Sequence, residues 1–196
     1  MRIIAGAMRG KTIPFDNKKY GNAEVTADRL KEALFSILGE GPAGRSFLDL
    51  YSCSGQIGLE ALSRGCRPVV FNEIDRRRFL FIKTLTADFE KNAEAEVHNL
   101  DAMVCVEQLA SRGMAFDYVY LDPPYDKNRG ETSRYRPILE TIQEQKILSG
   151  RGVVIVQHFA RNVLPAVMGE LVMSDERRYG TNGLVFYSRG DVELFG

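Results

Sequence analysis

The segment Phe47-Leu48-Asp49-Leu50-Tyr51-Ser52-Cys53-Ser54-Gly55-Gln56-Ile57-Gly58 carries the clearest pattern for the fold class of this chain. Its first five residues are mostly apolar and predict a buried strand over 47–51, and a helical pattern follows over 57–64. Small residues between a strand and a helix N-terminus let the backbone approach a ligand closely. The segment therefore predicts a strand-loop-helix unit with a ligand at its loop.

Strand and helix patterns alternate on both sides of this unit. Further strands are predicted over 68–73, around Val97, and over 116–121 and 152–157, with helices over 76–90, 102–111 and 135–145. Near the C-terminus, 169–179 and 184–189 flank the turn signal Gly180-Thr181-Asn182-Gly183, which predicts an antiparallel hairpin. We expect an α/β, Rossmann-like fold whose seven-stranded sheet is mainly parallel and ends in this hairpin.

The N-terminal segment adds a small extension to this core. Residues 2–13 read as a hairpin or two short strands, and Thr26 can cap a helix that runs to Leu38. We predict one domain over 1–196, made of this extension (1–40) and a catalytic core (45–196).

Composition indicates one globular domain in the cytoplasm. The chain has 196 residues, of which 44% are hydrophobic, and no apolar run reaches the roughly 18 residues of a membrane span. The first residues lack the apolar centre of a signal peptide. Three cysteines without Cys-x-x-Cys spacing favour neither a disulfide framework nor a zinc site. We expect a cytoplasmic monomer with no metal and no membrane contact.

Acidic residues lie at the ends of three successive predicted strands: Asp49 and Glu73 near the ends of the first two, and Asp101 after the third. Asp49 would repel the pyrophosphate of a dinucleotide but suits the ammonium of a methionine moiety, and Glu73 can accept hydrogen bonds from both ribose hydroxyls. Asp101 can accept one from an adenine amino group. Each acid alone is more often a solvated loop residue or a helix N-cap than a ligand-binding group. Together they favour S-adenosylmethionine over NAD, with Ser52, Gly55 and Ala102 beside it.

The tetrapeptide Asp122-Pro123-Pro124-Tyr125 follows the apolar run 116–121. Two prolines cannot continue a central strand, so the chain leaves the sheet here. Asp122 and the Pro123 carbonyl can accept hydrogen bonds from an exocyclic amine, and Tyr125 can replace the stacking of an extruded base. The alternative interpretation is an ordinary turn with a packed tyrosine. The tetrapeptide indicates methylation of an amine.

Charge is balanced over the whole chain but clustered locally. Residues 1–20 hold five basic residues against one acid, and residues 127–136 hold four against one. Such clusters are the minimum that a phosphate backbone requires, although any one of them also reads as solvated charge. The candidate RNA-binding residues are Arg2, Arg9, Lys11, Lys127 and Arg129.

Long motifs in this chain resemble one known family. They are Met1-Arg2-Ile3-Ile4-Ala5-Gly6, residues 26–38, Leu48-Asp49-Leu50-Tyr51, Gly58-Leu59-Glu60-Ala61-Leu62-Ser63-Arg64-Gly65, Glu73-Ile74-Asp75-Arg76 and Arg178-Tyr179-Gly180. On these the chain is similar to the RsmD family of small-subunit ribosomal RNA guanine-N2 methyltransferases. The resemblance implies class I S-adenosylmethionine-dependent methylation of 16S ribosomal RNA, in an assembled subunit or assembly intermediate. It also implies that Thr26 borders the cofactor. The alternative is that Thr26 only caps the helix that runs to Leu38.

One departure from the family pattern falls in the first loop. Ser52-Cys53 stands where the family usually has Ala-Gly. If that position needs a positive φ, a side chain strains the loop by roughly 1–3 kcal/mol. Two other functions stay open: methylation of an amine in DNA or protein, and a non-catalytic role in RNA binding or assembly.

Overall fold

The computed structural model describes residues 1–21, 26, 28–92, 94–124 and 135–190. The chain divides into two compact units, Met1–Asp101 and Ala102–Gly196. The single domain expected from the sequence stays a prediction, and each unit has its own strands and helices.

Three parallel strands form the centre of the first unit. Its elements are α1 (Asp28–Leu38), β1 (Phe47–Asp49), α2 (Gln56–Ser63), β2 (Val69–Asn72), α3 (Arg76–Glu90) and β3 (Ala95–His98). β2 pairs in parallel with β1 and with β3, for example Leu48 with Val70 and Phe71 with Val97. β1 ends two residues earlier than predicted because the chain already turns at Leu50 and Tyr51.

Helix α2 packs very closely against β2. A Cβ added at Gly58 would lie 2.2 Å from the ring of Phe71, so only glycine permits this approach. All eight residues of α2 are buried. The close packing fixes the N-terminus of α2, and with it the loop that precedes the helix.

The N-terminal segment is docked on α2 and forms less strand than expected. The carboxylate of Glu60 accepts hydrogen bonds from the backbone N–H groups of Ile4 (2.8 Å) and Ala5 (3.0 Å). Since these groups bond to a side chain, the predicted hairpin keeps a single antiparallel bridge, Arg2 to Thr12. A Cβ at Gly6 would lie 1.9 Å from the Ser63 carbonyl oxygen, so the contact with α2 requires glycine.

The second unit contains five strands and two helices among its described residues. They are α4 (Ala102–Ser111), β4 (Phe116–Leu121), α5 (Tyr135–Glu144), β5 (Leu148–Phe159), β6 (Val167–Met168), β7 (Leu171–Tyr179) and β8 (Asn182–Arg189). β4 and β5 are parallel, whereas β8 lies antiparallel between β5 and β7. Tyr179 pairs with Asn182, so Gly180 and Thr181 alone form the hairpin turn.

Strand β5 begins four residues earlier than predicted. Phe116 of β4 pairs with Leu148, but Tyr118 pairs with Val153. This shift of register marks a bulge in β5. A Cβ at Gly152 would lie 2.7 Å from the Phe116 carbonyl oxygen, so glycine is required where the strands rejoin. The hydrophobic pattern did not show this irregular beginning.

The α/β class and the C-terminal antiparallel hairpin are confirmed. The described residues hold eight strands, because the two-residue β6 adds to the seven that were expected. No helix in the described part of the chain is long and apolar enough to span a membrane.

Candidate functional site

Asp49 ends β1 with a buried carboxylate. Its Oδ2 accepts a hydrogen bond from the backbone N–H of Gly58 at 3.0 Å. Its Oδ1 is buried and has no hydrogen-bond partner among the described residues. Burial, followed by repulsion from Glu73, raises the pKa of Asp49 to about 7. A bound group with N–H donors and positive charge would satisfy this oxygen and favour the ionised form.

The loop after β1 is held by hydrogen bonds within the first unit. The Ser52 N–H donates to the Asn72 carbonyl at 3.0 Å, and the Ser52 hydroxyl donates to the Asp49 carbonyl at 2.8 Å. Gly55 adopts φ 74° directly before α2, and its N–H donates to the Ser52 carbonyl at 2.6 Å. Ser52 and Gly55 therefore shape the loop backbone beside Asp49.

Glu73 follows β2, and its carboxylate is already bonded on both oxygens. Oε2 accepts from the Cys53 N–H and Oε1 from the Asp75 N–H, each at 2.8 Å. Burial raises the pKa of Glu73, and these two hydrogen bonds oppose the rise. Each oxygen keeps one further lone pair, which leaves room for the predicted ribose hydroxyls. Glu73 thus has a structural role in the loop that sequence reasoning did not predict.

Cys53 adopts the left-handed conformation, with φ 51°. Non-glycine residues rarely occupy this region, and doing so costs about 1–3 kcal/mol. The hydrogen bond from its N–H to Glu73 holds the strained residue in place. The positive φ considered from the sequence is therefore present, on a residue with a side chain.

Asn72, the last residue of β2, connects the ends of the neighbouring strands and was not singled out from the sequence. Its amide nitrogen donates to the carbonyls of Leu50 (3.2 Å) and Leu100 (3.1 Å), and its oxygen accepts from the Leu100 N–H (3.2 Å). A buried amide inside the strand Val69-Val70-Phe71-Asn72 was the available signal. Asn72 fixes the backbone directly before Asp101.

Asp101 and Thr26 both belong to the first unit. Asp101 is exposed and directly follows Leu100. The burial of Tyr51, together with the negative charge of Asp101, raises the pKa of Tyr51 to about 12. Thr26 is buried, and its carbonyl accepts a hydrogen bond from the side chain of Gln56 at 2.6 Å. This bond ties Thr26 to the first residue of α2.

The first unit therefore brings together most of the residues predicted to bind a cofactor. Hydrogen bonds of these residues, or of the residues next to them in sequence, link the set around the loop before α2. The set is Asp49, Ser52, Gly55, Glu73, Thr26 and Asp101. Ala102 is buried and begins α4 in the second unit.

The predicted catalytic residues follow β4 in the second unit. Asp122 is half-buried, Pro123 is buried and Pro124 is exposed. The structure confirms that the strand ends at Leu121, immediately before the tetrapeptide. Tyr125, together with the predicted RNA-binding residues Lys127 and Arg129, lies outside the described residues.

The basic residues of the N-terminal segment are exposed. Within the described part of the chain, no carboxylate lies within ion-pair distance of Arg2, Arg9 or Lys11. The backbone between them is fixed on α2 through Glu60 and through Ser63, whose hydroxyl accepts from the Met8 N–H at 2.9 Å. Their charges are available to a ligand from a fixed segment.

Parallel strands with acids at their ends and a tight loop before α2 define a Rossmann-like, class I methyltransferase fold. The solved structure of yhhF from Escherichia coli has a TM-score of 0.77 and 25% identity, and the match covers 96% of this chain and 97% of that one. A family model described as "Conserved hypothetical protein 95" matches residues 1–188. The chain belongs to this family, and the resemblance to the RsmD family is confirmed.

Two curated relatives show the extent of the similarity. YlbH of Bacillus subtilis (strain 168) is 30% identical over 191 residues, covering 96% of this chain and 99% of the relative. "Ribosomal RNA small subunit methyltransferase D" of Escherichia coli (strain K12) is 29% identical over 190 residues, covering 96% of this chain and 90% of the relative. The similarity therefore extends over nearly the whole length of each protein.

Proposed function

We propose that this protein transfers the methyl group of S-adenosylmethionine to the exocyclic N2 amine of a guanine in small-subunit (16S) ribosomal RNA. The observation that carries the methyl-donor half is the buried Asp49 carboxylate, whose Oδ1 is unpartnered among the described residues, beside a tight loop. The RNA substrate is supported by the name of the Escherichia coli relative. Guanine N2 as the target atom rests on the family resemblance.

The first unit has donors and acceptors that suit the methyl donor. We assign Asp49 to the ammonium, Glu73 to the ribose hydroxyls through its remaining lone pairs, and Asp101 to the adenine amino group. Ser52, Gly55, Thr26 and Ala102 complete the set. When bound, S-adenosylmethionine supplies an electrophilic methyl on a sulfonium.

The residues after β4 are assigned to the methyl acceptor. An exocyclic amine conjugated to a purine is a weak nucleophile, so positioning its nitrogen contributes much of the catalysis. Asp122 and the Pro123 carbonyl accept hydrogen bonds from the amine N–H groups, and Tyr125 stacks on the extruded base. After methyl transfer, the amine proton leaves to Asp122 or to water.

Basic residues are assigned to the RNA backbone. Arg2, Arg9 and Lys11, held on α2, contact phosphates together with Lys127 and Arg129. A chain of zero net charge binds free RNA weakly, so an assembled subunit or assembly intermediate is the proposed substrate. We place the protein in the cytoplasm, as a monomer.

The test compares substrates directly. The protein and methyl-labelled S-adenosylmethionine are incubated with small subunits from a strain that lacks the gene, with protein-free 16S RNA, and with duplex DNA. Label in the subunit RNA, recovered as N2-methylguanosine, supports the proposal. Label in DNA or in ribosomal protein would show that the substrate is DNA or protein rather than RNA. RNA binding without any label would indicate a non-catalytic protein.

A further inference from the structure

The first turn of α3 contains three consecutive arginines, Arg76, Arg77 and Arg78, and no acid. The N-terminal end of a helix carries partial positive charge, so cations are unfavourable there and acids are expected. Asp75, the residue before the helix, caps it by accepting from the N–H groups of Arg77 and Arg78. A sequence that opposes its local rule at an exposed position points to a function.

Two of these arginines hold neighbouring groups, whereas Arg76 forms no ion pair with the described residues. The Arg77 guanidinium donates to the Asp75 carboxylate at 2.9 Å, and this contact holds the pKa of Asp75 down at about 2. Arg78 donates through Nε and Nη2 to the Tyr20 carbonyl, at 3.0 and 2.9 Å. Arg76 is exposed and has no carboxylate within ion-pair distance in the described ranges.

The hydrogen bonds from Arg78 to the Tyr20 carbonyl hold a second basic segment, Lys18 to Tyr20, against the first turn of α3. Tyr20 stacks on Phe15 at 4.9 Å between ring centroids, and both rings pack on Phe81 of α3. Lys18 and Lys19 directly precede Tyr20 and are exposed. The Asp16 carboxylate accepts from their backbone N–H groups, and neither ammonium has a carboxylate within ion-pair distance among the described residues.

We infer that Lys18, Lys19 and Arg76 form a phosphate-binding surface, the 18–76 surface, which contacts the RNA substrate separately from Arg2, Arg9 and Lys11 and from the 127–136 basic segment. Their charges come from segments far apart in sequence, joined by the Arg78 hydrogen bonds and the aromatic cluster. Because the backbone that carries these charges is already held in place, binding costs less conformational entropy than it would for a disordered segment. The identity of the ligand as RNA rests on the proposed function.

The test measures how RNA affinity depends on salt. Each phosphate contact to a single strand contributes about 0.7 to the slope of log affinity against log salt, so losing two contacts lowers the slope by roughly 1.4. The probe is a 20-nucleotide oligouridylate, and the variant is Lys18→Gln with Arg76→Gln. The matched control, Lys83→Gln with Lys91→Gln, removes the same charge from the later turns of α3 and just beyond its end.

The inference predicts the full fall in slope for the Lys18/Arg76 variant and the wild-type slope for the control. Equal slopes in the two variants would overturn it, as would equally good competition by polyglutamate of matched length. Methyl transfer to small subunits is measured on the same proteins. Absence of transfer by the wild type would refute the proposed function, whereas the slope comparison would still decide the 18–76 surface.

Discussion

The backbone N–H of Cys53 donates to Oε2 of Glu73 at 2.8 Å, so the left-handed residue of the loop is joined to the acid after β2. The interaction uses only the backbone of Cys53. Its side chain therefore contributes strain at φ 51° without being needed for this bond.

This arrangement predicts opposite effects for two substitutions at Cys53. Cys53→Gly relieves the strain and keeps the N–H donor, so the free energy of unfolding stays level or rises by up to about 1 kcal/mol. Cys53→Val places a β-branched residue at positive φ and lowers the free energy of unfolding by about 1–2 kcal/mol. Urea denaturation measures both, and equal stability of the two variants would contradict the assigned strain.

Asn72 is predicted to be a major contributor to the site's stability. Asn72→Ala leaves three backbone groups of Leu50 and Leu100 without partners, which costs about 2–3 kcal/mol in unfolding free energy. The control is Asn92→Ala, which loses one exposed hydrogen bond to the Asp88 carbonyl. Its effect should stay within about 0.5 kcal/mol of zero. Similar losses in both variants would show that Asn72 does not hold these strand ends.

Two glycines in the N-terminal segment separate backbone strain from a steric clash. Gly6 and Gly10 have nearly the same φ, 81° and 84°, but only a Cβ at Gly6 meets the Ser63 carbonyl oxygen. Gly10→Ala should cost about 1–2 kcal/mol, and Gly6→Ala should cost more and detach the segment from α2. Denaturation and RNA binding measure these effects. Equal losses for the two alanines would argue against docking on α2.

Asp49 should couple stability to pH. Its folded pKa is about 7 against 3.8 for an exposed carboxyl, so between these values the folded state binds more protons than the unfolded state. The contribution of Asp49 to stability therefore falls as pH rises from about 4 to about 7, by up to about 4 kcal/mol.

Comparison with Asp49→Asn isolates this group, because the amide does not titrate. The stability of the wild type relative to Asp49→Asn should fall between about pH 4 and about pH 7 in urea denaturation. A difference that stays constant over this range would mean that Asp49 is ionised throughout. S-adenosylmethionine should reverse part of the fall, since its ammonium favours the ionised carboxylate.

The sequence predicted those elements whose ends coincide with a change in hydrophobic pattern. The bounds of α3, α4 and β4 match the prediction, because each pattern stops at a turn or helix-capping signal. The start of β5 was missed, since a bulge depends on contact with β4 rather than on local composition. The N-terminal hairpin was overestimated because Glu60, 56 residues from Ile4, bonds to its backbone.

The candidate site was predictable by residue type but not by its contacts. Acids at strand ends are visible in the sequence, and Asp49 and Glu73 lie where the pattern placed them. The sequence did not show that Glu73 bonds to the loop backbone, nor that Asn72 joins two strand ends. Such contacts arise only when distant segments meet.

We propose that Asp122 positions a guanine N2 amine for methyl transfer. The most direct test of this proposal is mass spectrometry of the N2-methylguanosine in small-subunit RNA from a strain that lacks the gene, complemented with wild-type protein or Asp122→Asn. We expect the wild type to restore the modification. In purified single-turnover reactions, Asp122→Asn should lose at least about 100-fold in rate. Near wild-type methylation by Asp122→Asn, or no N2-methylguanosine with the wild type, would contradict the proposal.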